Sequence, residues 1–340
     1  MDEPINVLVL VDFSDATLNR LKGLSPRLKI TKLAARAAND VPREIWATTE
    51  ILYTHRPLPE PEQALKLRWI QLHFAGVDSI IEAPIFQNEG IILTSASGIH
   101  ASTIAEFSFA MILAHARKIP LMLKSQRNAE WAENRFELFM PRELRGSTLG
   151  IIGYGSIGRA AARLGKAFGM NVLASKRNVM QPAAINEYEE PGVGDPTGEL
   201  VDRLYPPQAV RSMLAESDFV LCTLPLTSET RGSINAEVIS AMKPHAFFVN
   251  IGRGGVVDEE ALVAALQQGK IGGAGLDVFA NEPLPQSSPL WAMENVIISP
   301  HISGNSPRYA ERAAEVFAEN LERYLERREL LNRVDLSRGY

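Results

Sequence analysis

Three ionisable residues in the C-terminal half of the sequence could together carry out acid–base and anion-binding chemistry. They are Arg253 in "NIGRGGVVDEEAL", Glu282 in "LDVFANEPLP" and His301 in "SPHISGNS", separated by 29 and 19 residues. An imidazole transfers protons near neutral pH, a carboxylate can orient it, and a guanidinium binds carboxylate or carbonyl oxygens through several donors. Each residue follows an apolar run typical of a buried strand, and doubly wound sheets bind ligands at the C-terminal ends of their strands. Only the fold can bring three such strand ends together.

A glycine-rich turn precedes these residues. In "GIIGYGSIGRAAARLG" a strand, a turn and a helix follow one another, with Gly153, Gly155 and Gly158 at the spacing of a dinucleotide-binding loop. Glycine permits a tight turn, close approach of a pyrophosphate and close packing of the helix on the strand. The helix N-terminus at Ser156 and Ile157 offers N–H groups and partial positive charge to an anion. A dinucleotide beside the three ionisable residues indicates hydride chemistry.

The strand after this helix ends without the acid that holds the ribose hydroxyls of NAD. Ser175 stands there, followed by Lys176 and Arg177. A carboxylate would repel a 2′-phosphate, whereas a hydroxyl and two cations supply donors and positive charge for it. Two basic residues in a loop can also be merely solvated, but the missing acid favours NADP as the cofactor, with NAD as the alternative.

The elements that must position these residues follow a βαβ rhythm. Apolar runs alternate with longer mixed segments, which predicts an α/β fold with parallel sheets buried on both faces. A helix is expected from Thr103, with Glu106 at capping-box spacing, and an amphipathic helix is expected near the C-terminus. Residues 180–208, rich in proline, glycine and acids, are expected to form a long surface loop. The predicted strands are residues 6–11, 50–54, 69–73, 90–94, 149–153, 170–175, 219–224, 246–252, 273–279 and 295–301.

Composition and charge narrow the class of protein. The 340 residues suit two domains of about 100–200 residues each. A net charge of −5 gives no sign of a nucleic-acid partner. No apolar stretch is long enough to span a membrane and no basic leader is visible, so a cytoplasmic location and a small-molecule partner are expected. The single cysteine, Cys222, is expected to be buried, and no side-chain spacing predicts a metal site.

Several motifs, in order along most of the chain, resemble the D-isomer-specific 2-hydroxyacid dehydrogenase family and its glyoxylate and hydroxypyruvate reductases. They are "LHFAGVDSI", "IAEFSFAMILAHAR", "GIIGYGSIGR", "LPLTSETRGSI", "VNIGRGGVVDEEAL", "GLDVFANEPLP" and "SPHISG". The resemblance implies two doubly wound parallel-sheet domains, with a Rossmann coenzyme domain (102–305) inserted in a flavodoxin-like substrate domain (1–101 plus 306–340). It also implies hydride transfer between a nicotinamide cofactor and a small D-2-hydroxy acid or 2-oxo acid. A homodimer is implied too, with Trp131 in the region of dimer contacts.

The same resemblance implies a role for each motif residue. His301 would protonate the substrate oxygen, Glu282 would orient the imidazole and favour its charged form, and Arg253 would bind the substrate. Ala75 and Gly76 would give backbone N–H groups to the substrate carboxylate. Asp277 would accept a hydrogen bond from the nicotinamide carboxamide. The expected cofactor contacts are Gly153, Gly155, Ser156, Ile157, Gly158, Ser175, Lys176, Arg177, Leu224, Pro225, Ile251, Gly252 and Asp277.

Two other functions stay open for this set of motifs. A dinucleotide-sensing binding protein, similar to the corepressors of this fold, would keep the same three ionisable residues, and only a turnover assay separates it from an enzyme. A phosphoglycerate dehydrogenase-like enzyme is less favoured because little sequence follows the C-terminal helix. The identity of the 2-oxo acid depends on the shape of the cleft, which a single sequence does not specify.

Overall fold

The computed structural model describes residues 3–78, 80–88 and 90–339. The chain divides into two compact units. The first unit comprises the chain up to Ile99, the segment Ile185–Tyr188 and the chain from Ser306 onward; the second comprises His100–Ala184 and Glu189–Asn305. The second unit is thus inserted in the sequence of the first. The terminal residues of the predicted substrate domain (1, 2 and 340), and residue 79 of the "LHFAGVDSI" motif, lie outside the described residues.

Strands and helices alternate along most of the chain. The strands are β1 (Ile5–Val9), β2 (Leu28–Lys32), β3 (Ile51–Thr54), β4 (Trp69–Leu72), β5 (Ile92–Thr94), β6 (Thr148–Ile152), β7 (Asn171–Ser175), β8 (Arg203–Tyr205), β9 (Phe219–Cys222), β10 (Phe247–Asn250), β11 (Gly273–Leu276) and β12 (Val296–Ile298). The helices are α1 (Asp15–Gly23), α2 (Arg43–Thr48), α3 (Ala101–Ala116), α4 (Ile119–Arg127), α5 (Arg135–Leu138), α6 (Ser156–Ala167), α7 (Val210–Glu216), α8 (Ala236–Ser240), α9 (Glu259–Gln267) and α10 (Tyr309–Leu325).

In its described residues, the first unit is built on a parallel five-stranded sheet with the order β2-β1-β3-β4-β5. This is the flavodoxin-like order of a doubly wound sheet. Every residue of β3 and β4 is buried, as expected for central parallel strands covered on both faces. The sequence pattern missed β2, because this edge strand buries only Leu28 and so lacks a continuous apolar run.

The second unit contains, in its described residues, a parallel seven-stranded sheet with the order β12-β11-β10-β9-β6-β7-β8. One apolar core, including Phe248 and Leu262, lies on one face of the sheet, and another, including Phe109 and Phe247, lies on the other. The two sheets confirm the predicted fold class, a Rossmann-type domain inserted in a flavodoxin-like domain. The units divide at residues 99/100, 184/185, 188/189 and 305/306, where the sequence analysis placed boundaries only at 101/102 and 305/306.

Two local predictions were wrong. Helix α3 begins at Ala101 with His100 as its N-cap residue, so Thr103 lies inside the first turn and cannot form a capping box with Glu106. The expected loop at 180–208 contains a strand, since β8 pairs in parallel with β7. A strand of three residues is too short to give a periodic signal.

Three broader features concern membranes, metals and the cysteine. Over the described chain, no helix combines the length and apolar character needed to cross a membrane. Among the same residues, no group of three or more His, Cys, Asp or Glu side chains is arranged to hold a metal ion. Cys222 is fully buried in β9, as predicted, and burial raises the pKa of its thiol to about 11.

Candidate active site

The C-terminal ends of six parallel strands lie side by side in the second unit. Neighbouring strands are about 4.8 Å apart. One residue at the end of each strand lies in register with the end of the next, so the six residues form a row. The segments that follow this row share one edge of the sheet. The sheet grows towards β8 on one side of β6 and towards β12 on the other, which places the turn after β6 at the topological switch point. All predicted catalytic and cofactor residues of this unit lie at or just after this row. The row consists of Ser175, Ile152, Cys222, Asn250, Leu276 and Ile298.

His301 and Glu282 form a hydrogen-bonded pair at this edge. His301 Nδ1 lies 2.7 Å from Glu282 Oε2. The other carboxylate oxygen of Glu282 accepts the N–H of Phe279 at 3.0 Å, so the carboxylate is held between backbone and imidazole. Because Nδ1 faces an acceptor, it carries a proton, and Nε2 is the nitrogen that can exchange a proton with a ligand. The side chains are 48% and 35% exposed, which leaves the pair accessible.

Arg253 lies in the loop that follows the neighbouring strand β10. Asn250 holds this loop, since its side-chain amide donates to the Arg253 carbonyl oxygen and accepts from the Gly252 N–H, both at 3.2 Å. Arg253 Nη1 donates to the Gly252 carbonyl oxygen at 2.9 Å. Gly254 lies against the backbone of Phe279, where a Cβ atom would overlap it. This close approach brings the loop of Arg253 against the segment that leads to Glu282.

Asp277 is the first residue after β11 and is fully buried. Its carboxylate accepts hydrogen bonds from Ser299 Oγ at 2.6 Å, from Ile302 N–H at 2.9 Å and from Ser303 N–H at 3.0 Å. The motif predicted that this acid contacts the nicotinamide carboxamide. In the structure its carboxylate faces the loop that carries His301.

Three glycines shape the turn after β6 in different ways. Gly153 has a φ of +104°, and a Cβ atom on it would lie 2.7 Å from Thr223 Oγ1, which itself donates to the Gly153 carbonyl oxygen. A Cβ atom on Gly158 would overlap that same carbonyl oxygen. Gly155 has a φ of −94°, and a Cβ atom there would meet no described protein atom within 4 Å. Since neither backbone conformation nor packing requires glycine at this position, the open space fits an incoming phosphate.

The surroundings of this turn fit a dinucleotide. Ser156 and Ile157 begin the twelve-residue helix α6, whose N-cap, Gly155, has no side chain to satisfy the first N–H groups. Gly252 packs against the carbonyl oxygen of Leu224, so the loops after β9 and β10 meet beside the turn. Pro225 accepts a 2.6 Å hydrogen bond from Thr230 Oγ1, and Ile251 is buried.

The three residues predicted to select the cofactor differ in burial and in their hydrogen-bond partners. Ser175 is the last residue of β7 and is buried. Lys176 Nζ donates to three consecutive carbonyl oxygens, at positions 181–183, at 2.6, 3.2 and 3.2 Å. These oxygens belong to the loop at residues 180–208, which we call the acidic loop. Arg177 Nη2 lies 2.7 Å from Glu229 Oε2, in an exposed ion pair. The ammonium group of Lys176 therefore holds the loop, and Arg177 carries the more accessible positive charge.

The loop at residues 180–208 is anchored to helix α6 and does not lie freely on the surface. Arg159 in α6 is fully buried and donates to the carbonyl oxygens of Asp195 and Pro182. Its guanidinium lies over the Tyr154 ring, 4.8 Å from the centroid, and the Tyr154 hydroxyl donates to the Asp195 carboxylate. Burial, and then that carboxylate, raise the pKa of the Tyr154 phenol, which keeps it a donor.

The predicted substrate loop, with Ala75 and Gly76, lies after β4 in the first unit. The preceding residue His73 is fixed at two points: Tyr53 OH lies 2.7 Å from its Nδ1, and Tyr309 OH donates to its carbonyl oxygen at 2.7 Å. Burial raises the pKa of the Tyr53 phenol well above its ordinary value, so Tyr53 is the donor and His73 Nδ1 the acceptor. These contacts give His73 a structural role at the start of the loop.

His100 and His115, in the second unit, also have structural partners. His100 Nδ1 lies 3.1 Å from the carbonyl oxygen of Gly304. His115 stacks on Phe247 with ring centroids 4.1 Å apart. Burial, with further contributions from Lys118 and Arg142, lowers the pKa of His115 to about 4.

Sequence reasoning missed the residues that hold the site loops. Thr223, Asn250 and Ser299 each place a polar side chain at the end of an apolar strand and bond a neighbouring loop. A buried polar group must find a partner, so a lone polar residue that ends an apolar run was a usable signal. Arg159 gave no comparable signal, because an arginine in a helix is ordinarily solvated.

Comparison with known proteins gives a consistent result. The family model described as "D-isomer specific 2-hydroxyacid dehydrogenase, NAD binding domain" matches residues 109–303. A glyoxylate reductase from Korarchaeum cryptofilum is 38% identical over 261 residues, which cover 76% of this chain and 74% of that protein. A D-3-phosphoglycerate dehydrogenase from Methanocaldococcus jannaschii is 38% identical over 265 residues, 78% of this chain and 47% of that protein.

A solved structure resembles the fold over its full length. It is a D-isomer specific 2-hydroxyacid dehydrogenase from Xanthobacter autotrophicus Py2 in complex with NADPH and MES. The two chains share 31% identity and a TM-score of 0.80, and the match covers 100% of each.

Proposed function

The chain belongs to the D-isomer-specific 2-hydroxyacid dehydrogenases, which are NAD(P)-dependent enzymes, and we propose that it reduces a small 2-oxo acid such as glyoxylate or hydroxypyruvate with NADPH. The observation that carries this proposal is the 2.7 Å pair of His301 Nδ1 and Glu282 Oε2. It lies at the sheet edge that also holds the glycine turn and the Arg253 loop. A proton donor at this place suits the reduction of a carbonyl group.

In this mechanism each residue has one task. A nicotinamide cofactor held at the glycine turn would supply the hydride that the carbonyl carbon of the substrate accepts. The oxygen then gains negative charge, and His301 gives it the proton on Nε2. Glu282 keeps the Nδ1–H bonded and stabilises the charged imidazole before transfer. Arg253 donates to the substrate carboxylate and to the carbonyl oxygen, which offsets the developing charge.

We also propose that the backbone N–H groups of Ala75 and Gly76 bind the substrate carboxylate. Support comes from the sequence motif and from the fixed position of His73, two residues before Ala75. Small side chains at both positions leave the backbone open to a ligand.

The substrate is tested with a panel of 2-oxo acids, using loss of the nicotinamide absorbance as the readout. Glyoxylate and hydroxypyruvate are expected to give the highest kcat/KM. A phosphoglycerate dehydrogenase-like activity is the second candidate, because a protein of that name is 38% identical to this chain. Oxidation of 3-phosphoglycerate with a higher kcat/KM than any unphosphorylated D-2-hydroxy acid would favour that candidate.

NADP is the cofactor we propose, and Arg177 is the residue on which the preference depends. The end of β7 has no carboxylate to repel a 2′-phosphate, and a similar protein of known structure binds NADPH. Lys176 is engaged by the acidic loop, so Arg177 is the cation that can turn to a phosphate. Replacing Arg177 with alanine is expected to raise the KM for NADPH about 10- to 100-fold, the effect of losing a hydrogen bond to a charged group. The KM for NADH should change less than about twofold, since NADH lacks that phosphate.

Glu229→Gln provides the matched control for this measurement. The variant removes the ion-pair partner of Arg177 but keeps the arginine, so the KM for NADPH should stay equal or fall a few-fold. Equal increases for NADPH and NADH in Arg177→Ala would contradict the NADP assignment.

We further propose a homodimer formed through the segment 119–140 of the second unit. This segment exposes several large apolar side chains, with Trp131 85% exposed and Phe136 75% exposed. Such a concentration of exposed apolar surface is typical of a protein interface. Trp131→Asp is expected to shift the mass in solution, measured by light scattering, from dimer to monomer. Leu65→Asp, at an isolated exposed leucine of the first unit, should leave the mass unchanged. A monomeric wild-type protein would refute the proposed dimer.

A further inference from the structure

His301 has an unusual backbone conformation. Its φ is +53°, in the left-handed region that residues with a side chain rarely adopt. Histidine at this angle costs free energy relative to the ordinary helical or extended regions, because Cβ approaches the neighbouring carbonyl oxygen. Such a conformation persists only where the surroundings impose it, and it is concentrated at functional sites.

Asp277 supplies the contacts that impose this conformation. Its carbonyl oxygen accepts the N–H of His301 itself at 2.9 Å. Its carboxylate accepts the N–H groups of the next two residues, Ile302 and Ser303, at 2.9 and 3.0 Å. Asp277 thus accepts the N–H groups of three consecutive residues, 301–303. The left-handed backbone at His301 cannot relax without breaking these hydrogen bonds.

Ser299 completes the arrangement from the other side of the histidine. Its hydroxyl donates to Asp277 Oδ1 at 2.6 Å, and both residues are buried. A buried carboxylate is stable only when hydrogen bonds replace its lost hydration. The loop therefore wraps around the carboxylate because the amides and the hydroxyl are its available donors, and this wrapping sets the direction of the imidazole.

We propose that Asp277 and Ser299 are positioning residues that hold His301 in its left-handed conformation and thereby aim its imidazole at Glu282. The proposal rests on the proposed function in one respect, since it takes His301 as the proton donor. The sequence motif also implied a nicotinamide contact for Asp277, which stays a prediction, whereas it implied no cofactor contact for Ser299. In the structure the carboxylate has no solvent-accessible surface and accepts three hydrogen bonds from the loop.

Ser299→Ala and Asp277→Asn test this role. Ser299→Ala removes one donor and is expected to lower kcat about 5- to 10-fold. Asp277→Asn replaces an acceptor oxygen with a donor that opposes the loop N–H groups, and is expected to lower kcat about 100-fold. In Ser299→Ala, the KM for the 2-oxo acid and the Kd for NADPH, measured by fluorescence, should each change less than about twofold. Ser217→Ala is the control, because it removes a buried serine hydroxyl that bonds the Met213 carbonyl oxygen away from the site.

A second readout does not depend on turnover. The hydrogen-bonded Nδ1 proton of His301 should give a downfield proton NMR signal. It should move upfield in Glu282→Gln, where the acceptor loses its charge, and is so assigned to the pair. This signal should shift or broaden in Ser299→Ala and Asp277→Asn and stay unchanged in Ser217→Ala. An unchanged signal together with wild-type kcat in Ser299→Ala would overturn the proposal. So would a raised Kd for NADPH in Asp277→Asn with an unchanged signal, which indicates a cofactor contact. If the wild-type protein reduces no 2-oxo acid, the proposed function fails, while the signal still reports on the positioning.

Discussion

Replacing His301 with alanine is expected to lower kcat for 2-oxo acid reduction about 10²- to 10⁴-fold, the contribution of a positioned general acid. The Kd for NADPH should stay within about twofold of wild type, because the imidazole acts on the substrate oxygen and the glycine turn after β6 is unaltered. The loss follows from the 2.7 Å pair with Glu282, which leaves Nε2 as the proton donor. Steady-state kinetics and fluorescence titration of NADPH measure the two quantities.

Two further variants serve as comparisons for this result, Glu282→Gln as an intermediate case and His245→Ala as a control. The glutamine keeps an acceptor for the Nδ1–H but no charge, so its kcat should lie between those of wild type and His301→Ala. His245 pairs with Asp218 elsewhere in the second unit, and its replacement should leave kcat unchanged. A kcat for His301→Ala within twofold of wild type would show that the proton comes from another group.

Replacing Arg253 with alanine should have the second large effect, a fall in kcat/KM for the 2-oxo acid of about 10³-fold or more. The guanidinium is proposed to bind the carboxylate in the ground state and the carbonyl oxygen in the transition state, so KM should rise and kcat should fall together. Removing a single donor from an oxyanion site costs about 10²–10³-fold in kcat, and lost carboxylate binding adds to it.

Arg253→Lys separates charge from geometry. Lysine keeps the charge but loses the planar fork, so it should recover only part of the lost kcat/KM. Arg211→Ala, which removes an exposed arginine paired with Glu237, is the control and should behave as wild type. Full activity of the lysine variant would mean that the site needs only a positive charge, and an active alanine variant would remove Arg253 from the mechanism.

The sequence was informative where one physical requirement governs a position. All but two of the strands were predicted, since central parallel strands are buried on both faces and form unbroken apolar runs. The glycine turn was predicted because helix packing and an open ligand space each require a residue without a side chain. His301, Glu282 and Arg253 were found by motif, and the register row from Asn250 to Ile298 explains why residues so distant in sequence follow the same sheet edge.

The sequence was uninformative where long-range partners decide a side chain's role. The sequence predicted Lys176 as a cation for the 2′-phosphate. Its ammonium group is instead hydrogen-bonded to three carbonyl oxygens of an irregular loop, whose path gives no periodic signal. The left-handed conformation of His301 depends on Asp277, which is 24 residues away in the sequence. In both cases the partners include backbone N–H or C=O groups, which nearly every residue has, so a side-chain pattern does not show the pairing.

The most direct test of the central claim follows purified protein, NADPH and glyoxylate or hydroxypyruvate together, comparing wild type with His301→Ala. The account predicts that wild-type protein oxidises NADPH in step with formation of the 2-hydroxy acid, of D configuration where the product is chiral. It also predicts that His301→Ala binds NADPH normally but turns over at least about 100-fold more slowly. Tight binding of NADPH by the wild-type protein without oxidation by any 2-oxo acid would contradict the account and indicate a dinucleotide-sensing protein.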